Sequence, residues 1–271
     1  MTLLQALLLG IVQGLTEYVP VSSSAHLVLV PNILGWQFCE KESFIFDVLV
    51  QLGTLFGVMI FFAPVIRRVV VGVIAGLVAK DPWSNSDSRM GWLVVIATMP
   101  AALIGILFKD SISGYFSSPL AACYCLIFTG FAMMLAEKFA KKFERNMNQI
   151  DALSIGFAQT LALLPGVSRS GSTIAAGIAR GFSRTDAARF SFLMSIPVML
   201  GASLVASIEL FKDAELVARM AMPLLVGFIS AAISGYIVIK WFMKFLGTHR
   251  LIWFSFYCIS IGLLGIKFFG A

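Results

Sequence analysis

Residues 10–26 read Gly10-Ile-Val-Gln13-Gly-Leu15-Thr-Glu17-Tyr-Val-Pro20-Val-Ser22-Ser23-Ser24-Ala-His26. Residues 156–173 read Gly156-Phe-Ala-Gln159-Thr-Leu161-Ala-Leu-Leu-Pro165-Gly166-Val-Ser168-Arg169-Ser170-Gly171-Ser-Thr173. At an offset of 146 positions, Gly10, Gln13, Leu15, Ser22 and Ser24 meet Gly156, Gln159, Leu161, Ser168 and Ser170, with the proline slipped by one. The same offset pairs Phe44 and Phe46 with Phe190 and Phe192, so the chain is an internal duplication. Each copy sits in an apolar stretch with a Pro/Ser break at its middle. Such a stretch is too long for one membrane crossing and too short for two. It reads as a re-entrant hairpin that enters to mid-depth, turns and leaves on the same side.

Composition supplies the solvent. Of 271 residues, 59% are hydrophobic and 13% charged, about half the charge of an ordinary soluble domain. That excludes a disordered chain and a disulfide scaffold and points to an all-α integral membrane protein; a barrel would alternate polar and apolar residues. Six apolar runs are long enough to cross: Phe44–Ala63, Met90–Phe108, Pro119–Ala136, Phe190–Leu210, Met220–Phe242 and Leu251–Phe269. The chain is a single membrane domain of residues 1–271. Repeat one covers about residues 1–137 and repeat two about 150–271, each holding one hairpin and three transmembrane helices. Three is odd, so the second copy enters from the opposite face, which makes an inverted-topology repeat.

The net charge is +6, and the basic residues are unevenly shared. One face takes Arg67, Arg68, Lys80, Arg89, Lys138, Lys141, Lys142, Arg145, Arg180, Arg184, Arg189, Lys240, Lys244 and Arg250. The other takes Lys41, Lys109, Lys212, Arg219 and Lys267. The richer face is expected to be cytoplasmic, with both termini outside. This bias explains the charge without nucleic acid. The first 40 residues carry no Lys or Arg, so no cleavable signal peptide is expected. Cys39, Cys123, Cys125 and Cys258 form no CxxC pair and read as small hydrophobes.

Ionisable groups at membrane depth are costly and commonly functional. Glu17, His26 and Arg169 all fall in the hairpin breaks. A helix restarts after each break, near Ser22–Ala25 and near Ser170–Thr173, and its N-terminus favours an anion. Arg169 adds a fork-shaped cation suited to phosphate. Gln13 and Glu17, four apart on one helical face, suit Mg²⁺ or Ca²⁺ shared with substrate phosphates. His26 is a candidate general acid or base. Ser23 is either the nucleophile or the hydroxyl that orients water. These are the parts of phosphoryl transfer. Blander readings stand beside them: a structural Glu17–Arg169 pair, a core His26, serines that only cap, a Thr173 bonded to its own helix, and a packing or capping Gln159. Asp47 and Gln51 read as a helix-end pair, although Gln51 could line the cavity.

Both motifs, together with Val50-Gln51-Leu52-Gly53, resemble the bacterial undecaprenyl-diphosphate phosphatases of the bacitracin-resistance type. The resemblance runs the length of the chain. It implies two opposed hairpins and hydrolysis of a polyprenyl diphosphate to the monophosphate and inorganic phosphate, with a divalent cation. It further implies a bacterial plasma-membrane enzyme that recycles the lipid carrier of cell-wall synthesis. Its site would open to the outer leaflet, and bacitracin would compete for its substrate. Glu17, Ser23, His26 and Arg169 take the catalytic positions of the motifs. Gln13, Ser168, Ser170 and Thr173 fall at the metal and phosphate positions; Glu17 is expected to share the metal with Gln13, and Ser22, Ser24 and Gln51 to bind phosphate beside Ser168, Ser170 and Thr173. Gln13 stands where many members carry Glu, and Ser24-Ala25 replaces a common Thr-Gly. Fold alone would favour the alternative, a polyprenyl-phosphate transporter or flippase, but fold does not fix function. A homodimer is left open.

Overall fold

The computed structural model describes residues 1–83, 85–107, 118–140, 145–164, 166–210 and 213–270, and for 205–210 and 214 the backbone only. Lys109, Lys141, Lys142, Lys212 and Pro165 lie outside the described residues.

All regular structure among the described residues is helical. The first half holds α1 (Leu3–Thr16), α2 (Ser23–Ile33), α3 (Glu40–Phe61), α4 (Ala63–Val78), α5 (Ser86–Leu107) and α6 (Pro119–Lys138). The second holds α7 (Gln149–Thr160), α8 (Arg169–Ala179), α9 (Arg184–Leu210), α10 (Ala214–Leu246) and α11 (Ile252–Phe269). Helices long and apolar enough to cross a membrane are Glu40–Phe61, Ser86–Leu107, Pro119–Lys138, Arg184–Leu204, Glu215–Leu246 and Ile252–Phe269. They correspond one for one to the six apolar runs.

The two broken segments are helical pairs, α1 packed on α2 and α7 on α8. Their helices have 14, 11, 12 and 11 residues. At 1.5 Å per residue none reaches across a core of about 30 Å.

Packing partners are exchanged between the halves: α1 lies along α10, and α7 lies along α5. Both contacts need a glycine at the same repeat position. A Cβ on Gly10 would come within 2.6 Å of the Gly227 carbonyl, and one on Gly156 within 2.4 Å of the Ala97 carbonyl. Backbones that approach this closely are held by dispersion across small residues, the usual glue between helices in lipid.

One helix was not expected. The reading above leaves a loop between residues 63 and 90, whereas the structure has α4. Arg67-Arg68 interrupts the apolar run, and 16 residues make only about 24 Å of helix. α4 forms because Gly72 and Gly76 let it settle on the start of α5, near Asp87 and Ser88.

Ion pairs tie residues of one basic group together. Lys41 meets Asp213 at 3.2 Å and Arg219 meets Glu42 at 2.9 Å at one end. At the other end Glu137 accepts from Arg184 Nε at 2.7 Å and from the Leu251 amide at 2.8 Å. There, too, Asp151 anchors the entrance of the second hairpin. It forms a capping box with Asn148 and accepts from Arg145 and, at 2.7 Å, from Arg180 Nε. Burial opposes its charge, but the bonds from Arg145, Asn148 and Arg180 outweigh burial and hold the carboxyl down at about 2. A lowered folded value stabilises above the unfolded value and is lost as pH falls towards the folded one. Asp151→Asn should therefore cost about 1–2 kcal/mol at neutral pH, the partly exposed arginines screening the rest. Thermal unfolding in detergent should show that gap closing between about pH 4 and pH 2.

Candidate functional site

Both hairpin breaks end in a serine cap. Ser22 caps α2, its Oγ accepting from the Ala25 amide, and Ser168 caps α8 through the Gly171 amide. Serine at an N-cap satisfies an otherwise free helical N–H. The helices restart at Ser23 and Arg169, which occupy the same repeat position. The second thus begins one residue earlier than Ser170, because Ser168 takes the cap. Ser22 has φ 65°, a strained value for a residue with a side chain.

From these two positions both side chains converge on one carboxylate. Arg169 Nη2 donates to Glu17 Oε1 at 2.8 Å. Ser23 Oγ donates to Glu17 Oε2 at 2.5 Å, and Gln13 Nε2 donates to the same oxygen at 2.9 Å. Glu17 is buried, and the Arg169 side chain is 14% exposed. The guanidinium lies 5.3 Å over the Tyr18 ring, which fixes its plane. Its Nη1 is buried without a hydrogen-bond partner among the described residues. A buried donor left open is costly unless a ligand fills it.

Latches join the two tips. Ser24 Oγ accepts from the Gly166 amide at 3.2 Å. Ser170 Oγ donates to the Val19 carbonyl at 3.2 Å and lies 3.4 Å from that of Glu17. Ser24 and Ser170 are repeat mates, so each tip holds the other's backbone. Ser168 receives a third anchor, its amide donating to Thr129 Oγ1 at 3.1 Å. Thr173 bonds back to the Arg169 carbonyl at 2.8 Å and meets Ser191 Oγ at 2.7 Å.

Two expected site residues, His26 and Gln51, stand apart, and Gln159 was expected only to pack or cap. The sequence makes His26 a candidate acid or base for the Ser23 hydroxyl, but the structure gives that hydroxyl to Glu17. His26 bonds instead to the Ser22 carbonyl and to Tyr257, both at 2.8 Å. The i, i+4 relation along α2 explains this, since it places the His26 ring over the cap and not over Ser23. Gln51 is half-buried on α3, and among the described residues no hydrogen bond joins its side chain to Glu17 or Arg169. Gln159 is buried, with neither amide atom bonded among the described residues. Leu163 occupies its copy's equivalent of Glu17, so the glutamine recurs without the acid. Tyr18, Thr129, Ser191 and Tyr257 were missed. A threonine on the buried face of an apolar run was the one available signal.

The donor set suits a divalent cation of a particular kind. Glu17 offers a carboxylate from one helical face, and Gln13, whose amide nitrogen donates to it, would join as an oxygen ligand on turning its amide over. No group of three or more His, Cys, Asp or Glu occurs among the described residues. Such a set fits a cation that completes its shell with substrate phosphates and water, as Mg²⁺ does.

Comparison with known proteins agrees over nearly the whole chain. The family model described as bacitracin resistance protein BacA matches residues 6–264. An undecaprenyl-diphosphatase of Corynebacterium efficiens is 41% identical over 263 residues, covering 96% of this chain and 88% of that protein. Undecaprenyl-diphosphatases of Carboxydothermus hydrogenoformans and Chloroherpeton thalassium are 41% and 37% identical, covering 96% and 97% of this chain and 94% and 95% of their own. With both motifs, the six crossing helices and this match in hand, the chain belongs to the bacitracin resistance protein BacA family.

Proposed function

We propose that this chain is a membrane phosphatase that hydrolyses undecaprenyl diphosphate to undecaprenyl phosphate and inorganic phosphate. It thereby recycles the lipid carrier of cell-wall synthesis, and bacitracin competes with it for the substrate. The observation that carries the reading is the Arg169 guanidinium, bonded to Glu17 through one nitrogen and open at the other, beside the Ser23 hydroxyl.

In the reaction the Arg169 fork binds the terminal phosphate, using Nη1 and then exchanging Glu17 for phosphate oxygen at Nη2. The Ser23 hydroxyl attacks the terminal phosphorus, or orients the water that does so. A new P–O bond forms and the bridging P–O bond breaks, so undecaprenyl phosphate leaves. The proton of the attacking hydroxyl passes to Glu17, which already accepts from Ser23 at 2.5 Å. With serine as nucleophile, water then cleaves the phosphoserine and releases phosphate. His26, one turn along α2 and bonded to the Ser22 carbonyl and Tyr257, is a further candidate acid or base. Gln13 and Glu17 would hold Mg²⁺ or Ca²⁺, which when bound neutralises diphosphate charge.

The exchanged packing of α1 and α7 supports reading the chain as an inverted repeat, with repeats of about 1–137 and 150–271. The basic bias supports a plasma-membrane orientation with both termini outside and a site open to the outer leaflet.

Purified protein in detergent, where no second compartment exists, is expected to release phosphate from a long-chain prenyl diphosphate in the presence of Mg²⁺. Folded protein that releases none would overturn the proposal and favour a transporter. Trapping a phosphoserine at Ser23 would identify serine as the attacking group, and its absence in single turnovers would identify water.

A further inference from the structure

We propose that Tyr257 is the positioning residue for His26: its hydroxyl holds the Nε2 lone pair of an imidazole whose tautomer the Ser22 carbonyl sets. His26 Nδ1 lies 2.8 Å from the Ser22 carbonyl. A carbonyl only accepts, so Nδ1 carries the ring proton. In the neutral imidazole Nε2 then holds the lone pair. It lies 2.8 Å from the Tyr257 hydroxyl, which donates to it.

Ring contact adds to the hydrogen bond. The His26 and Tyr257 rings stack, with centroids 5.8 Å apart and planes 10° from parallel. Ser22, on the opposite side, is the strained cap of the hairpin tip, so its carbonyl is aimed by the backbone. Cys258, next in sequence to Tyr257, donates its thiol to the Pro20 carbonyl at 3.5 Å. One turn of α11 therefore grips both the first break and the imidazole. α2 and α11 both rest on α6, which keeps the two helices in register. Tyr257 is 42% exposed and His26 8%, so the tyrosine covers the imidazole from outside.

A hydrogen bond to the lone pair orients a working histidine, and losing one such bond is worth about tenfold. The inference rests on the phosphatase reading only for its kinetic arm. The chain has two histidines, so a His249→Gln background leaves a single imidazole for nitrogen NMR. In that background Tyr257→Phe keeps the ring stack and removes the O–H. The His26 Nε2 resonance is expected to move downfield, to the position of a lone pair without a donor, while Nδ1 stays protonated. Phosphate release is expected to fall about tenfold in kcat with KM unchanged. Tyr257→Leu, which also removes the stack, is expected to fall further.

Unchanged nitrogen shifts in Tyr257→Phe would overturn the proposal, as would an unchanged kcat. A lower kcat without the Nε2 shift would also overturn it, because the effect would not then pass through His26. Absence of phosphate release in the parent protein would instead sink the phosphatase reading, and the nitrogen shifts alone would then decide this one.

Discussion

Arg169→Ala is expected to reduce phosphate release by about a thousandfold or more, the scale at which a single arginine stabilises a transferring phosphoryl group. That corresponds to about 4 kcal/mol of barrier. The substitution removes the open Nη1 and the Nη2 bond to Glu17 together. It also strands a buried carboxylate, which by itself destabilises the fold. Arg169→Lys separates the two effects. Lysine keeps the charge beside Glu17 but is a point donor and cannot fork. It should restore stability in detergent, measured by thermal unfolding, and leave activity about a hundredfold low. Lysine-variant turnover near the parent rate would remove Arg169 from phosphate binding and leave it an ion-pair partner.

Glu17→Gln is expected to cost about as much. The amide keeps the shape and can still accept from Arg169, so folding should survive. It loses the charge, the acceptor strength towards Ser23, and the one anionic ligand available to a cation from the Gln13–Glu17 face. Phosphate release by the parent protein should rise and saturate with Mg²⁺, while the residual rate of Glu17→Gln should barely respond. A normal metal titration with a reduced maximum would restrict Glu17 to proton transfer from Ser23. A normal rate at all metal concentrations would remove it from the chemistry.

The crossing helices were legible because lipid makes a demand that sequence records directly, a run of about 20 apolar residues. α4 was not, because Arg67 and Arg68 interrupt its run and its stability comes from Gly72 and Gly76 against another helix. The ionisable centre was legible for the same reason that charge in a hydrocarbon layer is rare: Glu17 and Arg169 had to serve some purpose. Their meeting at 2.8 Å spans 152 positions of sequence, which only the paired breaks hinted at. Which serine caps and which faces the carboxylate follows from where each helix starts, a matter of one residue that composition does not decide. The partner of His26 was beyond reach, since Tyr257 sits in an apolar run 231 positions away.

Because α1 leans on α10, and Glu17 on Arg169, the first hairpin cannot reach its final setting while the ribosome is still making the first half. Its acid must wait in the translocon or at the interface, protonated or hydrated, until the second hairpin arrives with the matching cation. Assembly of the Glu17–Arg169 centre is thus coupled to completion of the chain. A nascent or truncated first half holds an unneutralised carboxyl group and an uncovered glycine face, both of them marks by which membrane quality control can recognise an orphan.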